Sequence, residues 1–246
     1  MKKNLFTLCT LLVFIFTFIS CDNATSTSGG STQGIYTVDR NFIRPELIDT
    51  FYKIDNIANF DLKDGDRAYL TVAYEFDNYF GPSSAKYSIK SVEGKLSVDG
   101  LTAASEIDKE IYSSPIFAPQ EVLINIINND VAKSASWLWK NYQNISFIYK
   151  SNGTEGDFKL SPMGLSGDTL CFALNAKIEE GDKYMTKILS FDISEAPNML
   201  PVEDKDKLVA LDYIYTKIST IWYDEENDTT KIMYPFVGKY KNYFKK

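Results

Sequence analysis

Apolar and polar positions divide the chain into three stretches. Residues 5–19 are dominated by apolar side chains, residues 22–34 are polar and rich in Gly, Ser and Thr, and the remainder alternates with a period of two. Helical periodicity is scarce in that remainder, which predicts short β-strands separated by turns. The clearest strand covers residues 66–77, where Ala68, Leu70, Val72, Tyr74 and Phe76 alternate with Arg67, Tyr69, Thr71, Ala73 and Glu75. Lys63-Asp64-Gly65-Asp66 before it reads as a tight turn whose glycine takes positive φ. Within residues 86–98 the apolar parity switches, with Tyr87 and Ile89 on one face and Val92, Leu96 and Val98 on the other, and such a switch predicts a bulge. Residues 122–127 form a continuous apolar run. Further alternation covers 145–149, 170–174 and 185–191, with Glu179-Glu180-Gly181-Asp182 as a hairpin turn between the last two. Residues 208–223 read as two strands or one bent one, pairing with 231–237 across a polar turn. Single helical turns are expected within 105–112 and 128–137. The pattern predicts an all-β protein with compact units on either side of about Asp130.

The first stretch has a further reading. Lys2 and Lys3, an apolar core of about the export-signal length of 7–15 residues, and Ser20 before Cys21 together resemble a bacterial lipoprotein signal. The run falls short of the roughly 20 apolar residues that span a bilayer. Cleavage after residue 20 would leave Cys21 as the lipidated N-terminus, anchoring the protein in the cell envelope, with the outer membrane the expected site. Phe18 stands where the commonest lipobox carries leucine, so the match is to the looser form. Residues 21–34 read as the lipidated cysteine and a flexible tether with a reach of roughly 20 Å. The expected units are then 35–130 and 131–246.

Composition narrows the chemistry. The chain has 26 Lys and Arg against 33 Asp and Glu, and loss of Lys2 and Lys3 takes the formal charge from −7 to −9. That balance argues against a nucleic-acid partner and against docking on anionic lipid. There is no histidine, which excludes His-dependent nucleophilic, metal and acid–base chemistry. Cys9 leaves with the signal and Cys21 is acylated, so Cys171 is the remaining thiol and no intramolecular disulfide forms. The core must be ordinary hydrophobic packing, for which 44% apolar residues, sixteen Tyr and sixteen Phe are ample.

Several segments resemble the NigD-like lipoproteins of the Bacteroidetes envelope. They are the run from Leu62 to Leu70 leading into Tyr74; Tyr87-Ser88-Ile89 with Val92; Trp139 to Phe147, containing Tyr142, Asn144 and Ile145; and Asp168 to Asn175 followed by Lys187 to Ile193. The resemblance implies an N-terminal OB-like barrel joined to a C-terminal β-sandwich on a lipid-anchored protein of unassigned molecular function. It also implies an association with a bacteriocin locus, hence an immunity or accessory role. Relatives often carry a histidine near Phe172 and Asn175, and this chain has none.

Candidate chemistry is sparse. Asp61, Asp64 and Asp66 around Gly65 lack the EF-hand spacing and read as turn charges, as do Glu179, Glu180 and Asp182. Asp224, Glu225, Glu226 and Asp228 form the densest acidic cluster, a solvated turn with calcium as the alternative. No catalytic residue, metal site or cofactor is expected. Trp137, Trp139 and Tyr142, with Tyr69 on the mixed face of its strand, are candidate contacts for a ligand or partner, against the alternative that they seal the junction between the β units. Cys171 reads as a small buried hydrophobe. The expected function is a non-catalytic interaction module for an envelope protein. A glycan-binding lipoprotein is the alternative, and a glycoside hydrolase using two carboxylates about 5–9.5 Å apart comes third.

Overall fold

A computed structural model describes residues 28–47, 50–76, 85–127, 130–224 and 229–245. The export signal, Cys21 and the acidic residues 225–228 lie outside the described residues. The first sheet contains β1 (Ser28–Asp39), β2 (Phe42–Pro45), β3 (Tyr52–Lys53), β4 (Arg67–Phe76) and β5 (Lys86–Lys95). Its order is β3-β2-β1-β4-β5, antiparallel throughout. Part of the expected tether is strand, because Ser28 pairs with Phe76 and Gly34 with Leu70. The polar residues 28–34 gain a complete ladder against β4, and Gly30 leaves room for the Tyr74 ring, whose Oη would lie 2.6 Å from a Cβ there. The parity switch in β5 is a pair of register shifts against β4, at Tyr69/Leu70 and Thr71/Val72, so Val92 joins Tyr87 and Ile89 on the inward face. The expected strand stops at Lys95: Leu96 packs on a different cluster, and Val98 is exposed and pairs with Ser190.

No ladder closes this sheet into a barrel, but its two edges meet. Ile54 makes a single parallel bridge to Tyr87, beside the Tyr52 and Tyr87 rings stacked at 4.3 Å. The Asn56 amide donates to the Ile89 carbonyl at 2.8 Å and accepts the Ile89 N–H at 3.0 Å, standing in for missing ladder bonds. Tyr36, Ile43, Ile54, Ala68, Leu70, Val72 and Ile89 fill the interior.

Two further sheets pack face to face. One orders β10 (Ser136–Trp139), β11 (Tyr142–Ser151), β14 (Lys183–Asp192) and the short parallel β6 (Val98–Gly100), with β7 (Ala118–Pro119) also on β11. The other orders β12 (Asp157–Ser166), β13 (Thr169–Lys177), β15 (Tyr213–Asp224) and β16 (Thr229–Lys241). Phe147, Tyr149 and Phe191 from the first meet Phe158, Leu160, Phe172 and Ile218 from the second in one core. A separate hairpin, β8 (Val122–Ile127) and β9 (Asp130–Ser134), completes the strands.

Three expectations need correction. β13 and β14 belong to different sheets, so residues 178–182 are a crossover and not a hairpin turn. β13 is already paired by β12 and, in parallel, by β15. Residues 208–210 are helical, closing α2 (Val202–Ala210), which follows the short α1 (Ala196–Met199). Their signals are local: Pro197 in the first turn of α1, and Pro201, Glu203 and Asp204 at the start of α2 with Lys207 near its end. The described part of residues 128–137 is strand rather than a helical turn.

Candidate functional site

The first sheet and the sandwich meet through a buried polar cluster. Glu46 follows β2 in a turn where its N–H reaches the Ile35 carbonyl at 3.0 Å and Leu47 adopts φ 64. Arg67 opens β4. Its Nε donates to Glu46 Oε1 at 2.9 Å, and its Nη2 donates to the same oxygen and to Asn144 Oδ1 at 2.8 Å. Nη1 donates to Ser190 Oγ. Trp137 Nε1 donates to Glu46 Oε2 at 2.7 Å, and the Tyr142 ring lies 4.5 Å from the guanidinium carbon. Glu46, Asn144 and Ser190 are fully enclosed. Burial pushes the Glu46 carboxyl above its ordinary range, and the Arg67 charge and the Trp137 indole oppose that push. Removing two charges from water costs several kcal/mol per ion, offset here by forked, charge-assisted hydrogen bonds. This cluster therefore fixes how the sheets sit against each other, and it has no exposed face for a ligand.

All four candidate contact residues gather at this junction. Trp137 is 1% exposed, so it is removed as a surface platform and serves as a seal. Tyr69 and half-buried Trp139 pack on the Ile35, Ile124 and Trp137 cluster, and Tyr142 lies under Arg67. Sequence reasoning missed Glu46, Arg67, Asn144 and Ser190 as partners. The last three nonetheless lie inside segments that carry the NigD-like resemblance.

The acidic turn residues are occupied locally. Asp64 accepts the Arg40 N–H at 3.0 Å, and Asp66 accepts the Lys63 N–H at 2.8 Å and pairs with Lys95. Among the described residues, no three His, Cys, Asp or Glu side chains converge to hold a metal. Cys171 is half-buried on β13, and burial pushes its thiol above the ordinary value.

An open cleft lies elsewhere, beside a strap that threads between the sandwich sheets. Ser114 and Ile116 donate their N–H groups to Ala176 and Ile221 of one sheet, whereas Phe117 and Gln120 donate to Ile148 and Ser146 of the other. Ser114 Oγ also accepts the Ile178 N–H at 2.9 Å. The strap thus pins both sheets at one end. The cleft beside it, of about 690 Å³, is lined by Ser113, Pro115, Phe117, Lys150, Ile178, Glu180 and Asp182 among others. The Phe117 and Tyr184 rings meet edge to face at 5.2 Å and 72°, and Lys150 Nζ lies 5.1 and 5.0 Å from their centres. Tyr184 is 56% exposed. Sequence reasoning missed this corner because its parts come from the strap, β11, the crossover and β14, which only the tertiary fold unites.

Neither a family model nor a curated protein sequence matches the chain. Solved structures do share its all-β fold. A NigD-like immunity protein from Bacteroides caccae aligns with a TM-score of 0.54 and 14% identity, covering 89% of this chain and 99% of its own. A protein from Parabacteroides distasonis described as toxin-related gives 0.53 and 15% over 87% and 94% of the two chains. A Bacteroides fragilis protein described as a lipoprotein gives 0.59 and 12% over 87% and 98%. The NigD-like resemblance read from the sequence is thus matched by a fold shared along nearly the whole of each chain.

Proposed function

We propose that the chain is a lipid-anchored cell-envelope protein that acts by binding and not by catalysis. The observation that carries this reading is the lipobox ending at Cys21, set ahead of a fold shared with a NigD-like immunity protein and a lipoprotein-like structure. No helix among the described residues is long and apolar enough to cross a membrane. The five-stranded sheet whose edges meet at the Ile54–Tyr87 bridge supports the OB-like part of the reading, a five-stranded and partly open barrel. The outer membrane and an immunity or accessory role beside a bacteriocin are the finer forms of this reading.

The open cleft supports binding over hydrolysis. Its two carboxylates, Glu180 and Asp182, come from one crossover two residues apart, and so do not flank a substrate from separate elements as a glycosidase pair does. The glycan alternative, placed on Trp137, Trp139 and Tyr142, loses one of its two indole rings to burial, that of Trp137.

The test is metabolic labelling with an alkynyl fatty acid in a bacterial host. The full chain is expected to incorporate label and sediment with membranes, and Cys21→Ala to lose the label and leave the membrane fraction. An unlabelled wild-type chain would overturn the reading.

A further inference from the structure

We propose that the strap cleft is a binding site for a cationic polypeptide segment, one that presents a lysine or arginine beside an apolar side chain. This rests on the binding-module reading and assigns it a place and a ligand class. The cleft combines two kinds of lining. Phe117, Pro115 and Ile178 offer an apolar floor, and Glu180 and Asp182, both exposed, supply an acidic rim. Lys150, the cation of the lining, lies against the Phe117 and Tyr184 rings and so belongs to the aromatic corner, whereas Glu180 and Asp182 are exposed on the crossover.

Charge complementarity selects the occupant. The mature chain carries a formal charge of −9 once Lys2 and Lys3 are removed, which draws a basic segment toward the surface. Ring geometry disfavours a sugar. Saccharide platforms present flat, coplanar ring faces, and here the rings stand at 72°. A corner of that shape takes a side chain inserted end-on, and the cavity of about 690 Å³ is of the size that admits a short segment. Its frame is also stiff: Ser114 bonds the strap to Ile178 through its hydroxyl, and Asn152 N–H bonds the Glu179 carbonyl at 3.1 Å.

The experiment uses the full mature lipoprotein in detergent and a fluorescein-labelled pentapeptide alternating lysine and leucine, read by anisotropy. Peptides with glutamate in place of lysine, and chitohexaose as competitor, form the other arms. The lysine peptide is expected to bind. Affinity should fall about tenfold in the double variant Glu180→Gln/Asp182→Asn, whose positions are exposed and leave the fold unchanged. Phe117→Leu should retain binding and Phe117→Ala weaken it, and added salt should weaken the wild type more than the double variant. Equal affinity of wild type and double variant, binding of the glutamate peptide, displacement by chitohexaose, or no binding of the lysine peptide would each overturn the proposal. Fatty-acid labelling at Cys21 is scored on the same preparation, so a failed cleft with an intact anchor is distinguishable from failure of the envelope reading.

Discussion

Arg67 shows how little a single position reveals alone. It sits on the polar side of an alternating strand, where an exposed arginine is ordinary, yet it is 3% exposed and donates to Glu46, Asn144 and Ser190. Replacing it with methionine strands the Glu46 carboxylate in the interior. Arg67→Met is therefore expected to cost about 3–5 kcal/mol in urea unfolding, and the double variant Glu46→Leu/Arg67→Met to recover much of that loss. A loss that is unchanged in the double variant would show that the ion pair is not what the site requires. Trp137, Trp139 and Tyr142 were legible as a group from their closeness in sequence, and sealing the junction was one of their two expected roles. That Tyr69 joins them, and that a buried carboxylate takes the Trp137 N–H, was not legible because Tyr69 and Glu46 are remote from them in sequence.

Elements were most legible where alternation was long. β4, β13 and β14 fall where the alternation predicts them, β8 falls on the continuous apolar run, and the bulge in β5 follows from its parity switch. The hairpins β1–β2 and β10–β11 were illegible because Arg40 (φ 57) and Lys140 (φ 53) take turn conformations that glycine usually marks. The helices were hidden by the apolar residues that continue into β15. Gly65 takes the positive φ its turn predicts, at 87, whereas Gly181 serves close approach. A Cβ on Gly181 would lie 2.4 Å from the Asn152 backbone, so Gly181→Ala should destabilise the crossover by about 1–3 kcal/mol and lower the thermal midpoint. The turn before β4 carries a pH dependence. The Lys63 N–H and Lys95 hold the Asp66 carboxyl below its ordinary value of 3.8. A carboxyl depressed by folding stabilises the folded state above its unfolded pKa, and that contribution is lost as pH falls through the folded one. Amide exchange at Lys63 and Gly65 should accelerate in that acid window in the wild type, and Asp66→Asn should remove the dependence.

Across the molecule, the curled sheet and the sandwich meet at a junction that sets their orientation, and the strap cleft lies away from it. The three solved structures described above align over 87–89% of the chain, so the shared fold includes both assemblies. The buried cluster around Glu46 and Arg67 joins the first sheet to the sandwich and is expected to make them one cooperative body. Scanning calorimetry of the protein checks this. One transition is expected, with calorimetric and van't Hoff enthalpies in agreement, and Arg67→Met should split it or broaden it into two. Two resolved transitions in the wild-type protein, or an unaltered single transition in Arg67→Met, would contradict the account.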